Sequence, residues 1–191
     1  MKIKSAEFVL SAFDKKQFIN DNLPQIAFSG RSNCGKSTLI NTLLNRKKLV
    51  KTSSKPGFTK SVNYFLINRT FYLVDLPGFG FAKTSKKVQL NWDKLITDFF
   101  KETENLRGVI HLVDIRRLLT EKDEVLIEYL EYFEIPFLIV LTKSDKLSNN
   151  GIKKSLDILK KKWRIEHPLV VSSLKKKGIE DLWEEISTVI S

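Results

Sequence analysis

The stretch Gly30-Arg31-Ser32-Asn33-Cys34-Gly35-Lys36-Ser37 fits the pattern G-x-x-x-x-G-K-[ST]. Just before it runs Ile26-Ala27-Phe28, short and apolar as a buried strand is. Just after it, Leu39, Ile40, Leu43 and Leu44 recur at helical spacing. Strand, glycine-rich turn and helix form the setting in which successive backbone N–H groups curl toward phosphate oxygens. The helix N-terminus adds its positive dipole end. There Lys36 reaches the β- and γ-phosphates, and the Ser37 hydroxyl can ligate Mg²⁺. The stretch implies a nucleoside triphosphate ligand; a strand-to-helix turn that binds nothing is the bland alternative.

Outward from this loop, apolar runs and helical stripes alternate. Lys51 to Lys60 is polar and contains Pro56-Gly57, which predicts an exposed loop. Ser61 to Asn68 and Thr70 to Val74 predict a hairpin turning at Asn68-Arg69. Asp75-Leu76-Pro77-Gly78 ends its second strand, and Phe79 to Lys87 predicts another loop. Val109–Val113, Phe137–Leu141 and Leu169–Val171 are further strands. Helical stripes cover Val88–Phe99, Val125–Phe133, Ile152–Trp163 and Ile179–Val189, and Thr120 with Asp123 makes a near capping box. Six strands and about five helices in alternation predict an α/β three-layer domain with a mostly parallel sheet, spanning residues 23–191. Residues 1–22 are expected to form an N-terminal extension or edge strand. His111, inside a strand, and His167, before a proline, read as structural.

The chain has 191 residues, 42% hydrophobic and 29% charged, enough to bury a core without metals or disulfides. One cysteine, Cys34, permits no internal disulfide and suits a reducing cytoplasm. It reads as filler in a variable slot of the loop, with a reactive thiol as the alternative. No apolar run is long enough for a membrane span, and no signal-peptide core opens the chain. The formal net charge is +11, with basic residues clustered at Arg46-Lys47-Lys48, Lys83–Lys87, Lys160–Lys162 and Lys175–Lys177. Such a surface favours a polyanion, RNA above all, through counterion release. A merely lysine-rich proteome and an anionic membrane are the competing explanations.

Thr142-Lys143-Ser144-Asp145, 67 residues after Asp75 and at the end of an apolar strand, selects the base. A carboxylate can accept both the N1–H and the 2-amino proton of guanine. Adenine offers no such pair and leaves the carboxylate unsatisfied.

Together these motifs resemble the translation-factor-related small GTPases, and within them the EngB family (also called YihA or YsxC) of bacterial ribosome-assembly GTPases. The resemblance rests on Gly30–Ser37, on Ser53-Ser54-Lys55-Pro56-Gly57-Phe58-Thr59 and on Asp75 through Ala82. It rests also on Asp114-Ile115-Arg116 and on Ser172-Ser173-Leu174-Lys175-Lys176, in the family's order over nearly the whole chain. Departures are phenylalanine for the family's usual tyrosine at Phe79 and Phe81, and Cys34 and Leu118 for an aliphatic and a proline. Thr142, in place of the asparagine of most GTPases, is usual in this family.

The resemblance implies a Ras-like P-loop GTPase fold and a set of nucleotide contacts. Around the phosphates these are Gly30, Arg31, Ser32, Asn33, Cys34, Gly35, Lys36, Ser37 and Thr38. The first switch would supply Gly57, Phe58, Thr59, Lys60 and Ser61, and the next motif Asp75, Leu76, Pro77 and Gly78. Thr142, Lys143, Ser144 and Asp145, with Val171, Ser172 and Ser173, would hold the guanine. Lys36, Thr59 and the Gly78 N–H are the implied catalytic groups. Mg²⁺ would be ligated by Ser37 and Thr59, and by Asp75 through water. In some relatives an asparagine at the Asn33 slot ligates K⁺, so K⁺ activation is open.

Ras-like enzymes place a water-orienting glutamine where Phe79 stands, so intrinsic hydrolysis is expected to be slow. The resemblance implies assembly of the large (50S) ribosomal subunit, with consequences for growth and septation, by a cytoplasmic monomer. A signalling or septation GTPase acting on protein or membrane targets without ribosome contact is the other class. A domain that holds nucleotide only as a structural element is the third.

Overall fold

The computed structural model describes residues 1–46, 49–50, 61–79 and 86–190, with side chains from residue 93 onward in the last segment. Its strands are β1 (Ala6–Ala12), β2 (Gln25–Gly30), β3 (Val62–Ile67), β4 (Phe71–Asp75), β5 (Leu106–Asp114), β6 (Phe137–Thr142) and β7 (Leu169–Val170). Its α-helices are α1 (Lys36–Leu43), α2 (Lys86–Glu102), α3 (Glu121–Tyr132), α4 (Asn149–Trp163) and α5 (Ile179–Ile190). The sheet runs β1-β3-β4-β2-β5-β6-β7. β3 pairs antiparallel with both neighbours, and every pairing from β4 to β7 is parallel. Among the described residues the sheet has seven strands, where the sequence predicts six. The seventh is β1, an edge strand within residues 1–22; Asn68 ties it down by accepting from the Lys4 and Ser5 N–H groups and donating to the Lys2 carbonyl. α2 begins at Lys86, within the expected loop.

Alternation along each strand builds the core. Ile26 and Phe28 of β2 face one side, with Leu39, Ile40 and Leu43 of α1 and Leu182, Trp183 and Ile186 of α5. Ala27 faces the other, with Leu95, Ile96 and Phe99 of α2 and Leu130 of α3. Ile139 and Leu141 of β6 meet Leu159 of α4 on that second side. The hairpin turns where its sequence indicated. Asn68 and Arg69 have φ 49° and 60°, the pair of positive values a two-residue turn between twisted strands needs. Among the described residues no helix is long and apolar enough to cross a membrane.

β2 lies between β4 and β5, so the chain leaves it in one direction across the sheet and later returns on its other side. Crevices form at such switch points, outside the carboxyl ends of the strands. Gly30–Ser37 sits at this one.

Candidate functional site

The turn after β2 is shaped by two glycines. A side chain at Gly30 (φ 148°) would sit 2.6 Å from the Leu112 carbonyl oxygen and 2.9 Å from Cys34 Sγ. Gly35, at φ 104°, starts α1 from a left-handed conformation that L side chains rarely adopt. Asn33 is also left-handed, at φ 65°. Lys36 opens the helix, buried, and its ammonium pairs with the Asp75 carboxylate at the end of β4. Ser37 is half-buried and Thr38 exposed.

The segment after β4 zips onto this turn. The Ser32 N–H donates to the Phe79 carbonyl at 2.9 Å, and the Phe79 N–H to the Gly30 carbonyl at 3.4 Å. Gly78 rests against Ser32, whose backbone would lie 3.3 Å from a Cβ there. Leu76 and Pro77 are buried behind it.

At the end of β6, Thr142 ties the strand to the glycine-rich turn. Its hydroxyl reaches the Cys34 carbonyl at 2.5 Å and the Val113 carbonyl at 3.2 Å, bridging β5, β6 and the turn. Lys143, left-handed at φ 60°, donates to the Asn33 carbonyl at 2.5 Å and lies 3.1 Å from Asp114 Oδ2; its stem passes Gly35. The Ser144 N–H donates to the Val171 carbonyl at 3.2 Å. Asp145 Oδ1 accepts the Ser172 hydroxyl at 2.6 Å, and Lys146 stands 3.6 Å from Oδ2. Those contacts, the Ser172 hydrogen bond first, hold the Asp145 carboxyl below its ordinary range against the opposing effect of desolvation. Ser173 follows, half-buried.

Thus Gly30–Thr38, Asp75–Gly78, Thr142–Asp145 and Val171–Ser173 converge on one edge of the sheet. Ser61 is buried and donates to Asn63 Oδ1 at 3.1 Å. Gly57, Phe58, Thr59 and Lys60 lie outside the described residues, as do Lys47, Lys48 and Lys83–Ser85.

Two groups beside the site escaped the sequence reading of roles. Asp114, ending β5, accepts from Arg116 Nε at 2.9 Å and Nη2 at 2.6 Å and is flanked by Lys143. Burial alone would raise its carboxyl; the two cations more than reverse this and hold it far below the carboxylate range. Asp-Ile-Arg after an apolar strand was the available signal. His111 is fully buried, with Nδ1 2.8 Å from Ser29 Oγ and Nε2 2.9 Å from Asp123 Oδ1, and Phe79 stacks on its ring. Asp123 Oδ2 in turn takes the Thr120 N–H at 2.8 Å and its hydroxyl at 2.6 Å, completing the helix cap. Cys34 is buried, and desolvation pushes its thiol up to about 11, which suits filler and not a nucleophile.

A family described as 50S ribosome-binding GTPase matches residues 25–143. A probable GTP-binding protein EngB of Thermoanaerobacter pseudethanolicus is 48% identical over 184 residues, which is 95% of this chain and 96% of that protein. Its namesake in Lactobacillus acidophilus is 44% identical over 195 aligned residues covering 100% of both chains. The crystal structure of a probable GTP-binding protein engB matches with a TM-score of 0.72 at 26% identity, over 87% of this chain and 98% of that one. Era in complex with MgGDPNP and nucleotides of 16S ribosomal RNA matches at 0.68 and 22% identity, over 88% of this chain and 57% of Era, a likeness of fold. Identity of that order across almost the whole length of both chains places this protein in the EngB family of GTP-binding proteins.

Proposed function

We propose that this protein binds GTP and GDP at the converged edge, hydrolyses GTP slowly and uses that cycle as a switch in assembly of the large (50S) ribosomal subunit. It does so as a cytoplasmic monomer, and growth and septation depend on it through ribosome supply. Asp145 carries the reading. An ionised carboxylate has about four acceptor positions. The Ser172 hydroxyl occupies one and aims the group, leaving acceptors for the N1–H and 2-amino protons of guanine. Lys143 supports the base, and Val171, Ser172 and Ser173 frame its oxygen.

The phosphates would lie along Gly30–Thr38, with Lys36 exchanging Asp75 for the β- and γ-phosphates. Two buried charges that pair with each other suit that exchange. Mg²⁺ fits the donors present: a half-buried Ser37 hydroxyl and the Asp75 carboxylate are hard oxygen ligands. Ser37 and Thr59 would bind it directly and Asp75 through water; when bound, it offsets negative charge on the phosphate oxygens. Thr59 would close the first switch, and the Gly78 N–H would meet the γ-phosphate. The Phe79 ring can neither donate to nor accept from water, which supports slow hydrolysis. Asn33 is exposed within the loop and suits K⁺; equal rates in K⁺ and Na⁺ buffers, with and without ribosomal particles, would remove that part.

The ribosome-binding character of the matched family and the exposed Lys160–Lys162 and Lys175–Lys177 support the ribosomal partner. Co-sedimentation with 50S particles tests it. Salt-sensitive binding with a non-hydrolysable GTP analogue, lost with GDP, is the expected result. No binding at low salt in either state contradicts it.

A further inference from the structure

α3 and its end form an acidic segment of a basic chain. Residues 121–134 carry Glu121, Asp123, Glu124, Glu128, Glu131 and Glu134 against Lys122 alone, in a chain of formal net charge +11. Two of the six face inward: Asp123 holds His111, and Glu124 accepts the indole N–H of Trp163. Glu121, Glu128, Glu131 and Glu134 are exposed.

Among those carboxylates stand large apolar side chains in water: Val125 is 65% exposed, Tyr132 81% and Phe133 40%. Val125, Glu128 and Tyr132 follow at three- and four-residue steps and so share one stripe of the helix. The aromatic end is braced. Phe133 lies 4.9 Å from Tyr132 and 4.4 Å from Tyr129 between ring centroids, and Lys101 of α2 holds its ammonium 5.9 Å from the Phe133 centroid. Scattered exposed apolar residues need no explanation, but an ordered group set among four exposed carboxylates, with Lys122 and Lys101 as the cations named beside it, marks an interaction surface. α3 runs from the carboxyl end of β5 back to the start of β6, so its aromatic end lies at the opposite edge of the sheet from the phosphate loop.

The chemistry of the stripe chooses its partner. Carboxylates repel phosphodiesters and anionic lipid headgroups. Lysine and arginine complement them, a guanidinium can also stack on Tyr132, and Val125 and Phe133 gain from covering by an apolar side chain. We propose that the exposed face of α3 docks a Lys/Arg-rich protein segment that carries apolar anchors. This rests on the surface alone and holds whether or not the ribosomal reading does.

The test titrates the full-length ¹⁵N-labelled, GDP-loaded protein with three probes: a peptide alternating Lys/Arg with Leu, its Glu-for-Lys counterpart, and a single-stranded RNA. Expected are saturable, salt-weakened shifts confined to Val125–Glu134 with the basic peptide only. Affinity should fall about tenfold or more in V125S/Y132S and in E128K/E131K. These four side chains are exposed, and the wild-type titration decides even if a variant misfolds. Absence of shifts on α3, equal shifts with RNA or the acidic peptide, unchanged affinity in folded variants, or concentration-dependent self-association through the stripe would each overturn the proposal.

Discussion

The ring of Phe79 lies parallel to the imidazole of His111, with centroids 5.9 Å apart and planes 7° from each other. The residue that follows Asp75–Gly78 is thereby seated on a buried polar chain that runs from Ser29 through His111 and Asp123 to Thr120. With its proton on Nε2 toward Asp123, His111 accepts the Ser29 hydroxyl at Nδ1, and every member has a partner. The chain links the start of the loop after β4 to the N-terminus of α3.

His111→Ala should therefore cost more than a cavity. It strips a buried carboxylate and a buried hydroxyl of their partner, a loss of about 3 kcal/mol. For a domain of this size that is a fall of about 9 °C in Tm. Calorimetric or fluorescence-monitored melting checks it; a shift below about 2 °C would mean the chain contributes little.

Asp114 makes stability depend on pH in a definite direction. Its folded-state carboxyl is held below the ordinary value of 3.8, so its contribution is complete above that value and is lost as pH falls through and below it. Asp114→Asn should lower stability by about 1 kcal/mol at pH 7, the exposed Arg116 side keeping the effect modest. The gap between wild type and variant should narrow toward pH 3. Urea midpoints at the two pH values measure it; a gap that widens on acidification contradicts the assignment.

What was legible in the sequence was local. The loop Gly30–Ser37, the turn at Asn68-Arg69 and the cap at Thr120 are each written within a few consecutive residues, and each stands where expected. Thr142–Asp145 was readable because an apolar strand fixes where it ends. The partners of His111 are not legible in the sequence, because Ser29 is 82 residues away and its other neighbours come from different elements. β1 was ambiguous for a different reason: an edge strand half in water shows only faint alternation, as exposed Phe8 and Val9 illustrate. Leu118 has φ 57°, which a proline cannot adopt, so this turn departs from the proline-bearing form that the resemblance implies.

Cys34 should behave as a buried hydrophobe. Its thiol, pushed up to about 11 by desolvation, is almost wholly protonated at pH 8. Reaction with a disulfide reagent should be slower than that of the urea-unfolded chain by about a hundredfold or more. Rates within about threefold of each other would show an open, activated thiol instead.

The guanine site is tested most directly by calorimetric titration with GDP and with ATP, Mg²⁺ present, on wild type and Asp145→Asn. GDP binding and no ATP binding are expected in the wild type, and loss of GDP binding in the variant with its fold intact. Comparable ATP binding, or GDP binding indifferent to Asp145, would contradict that reading.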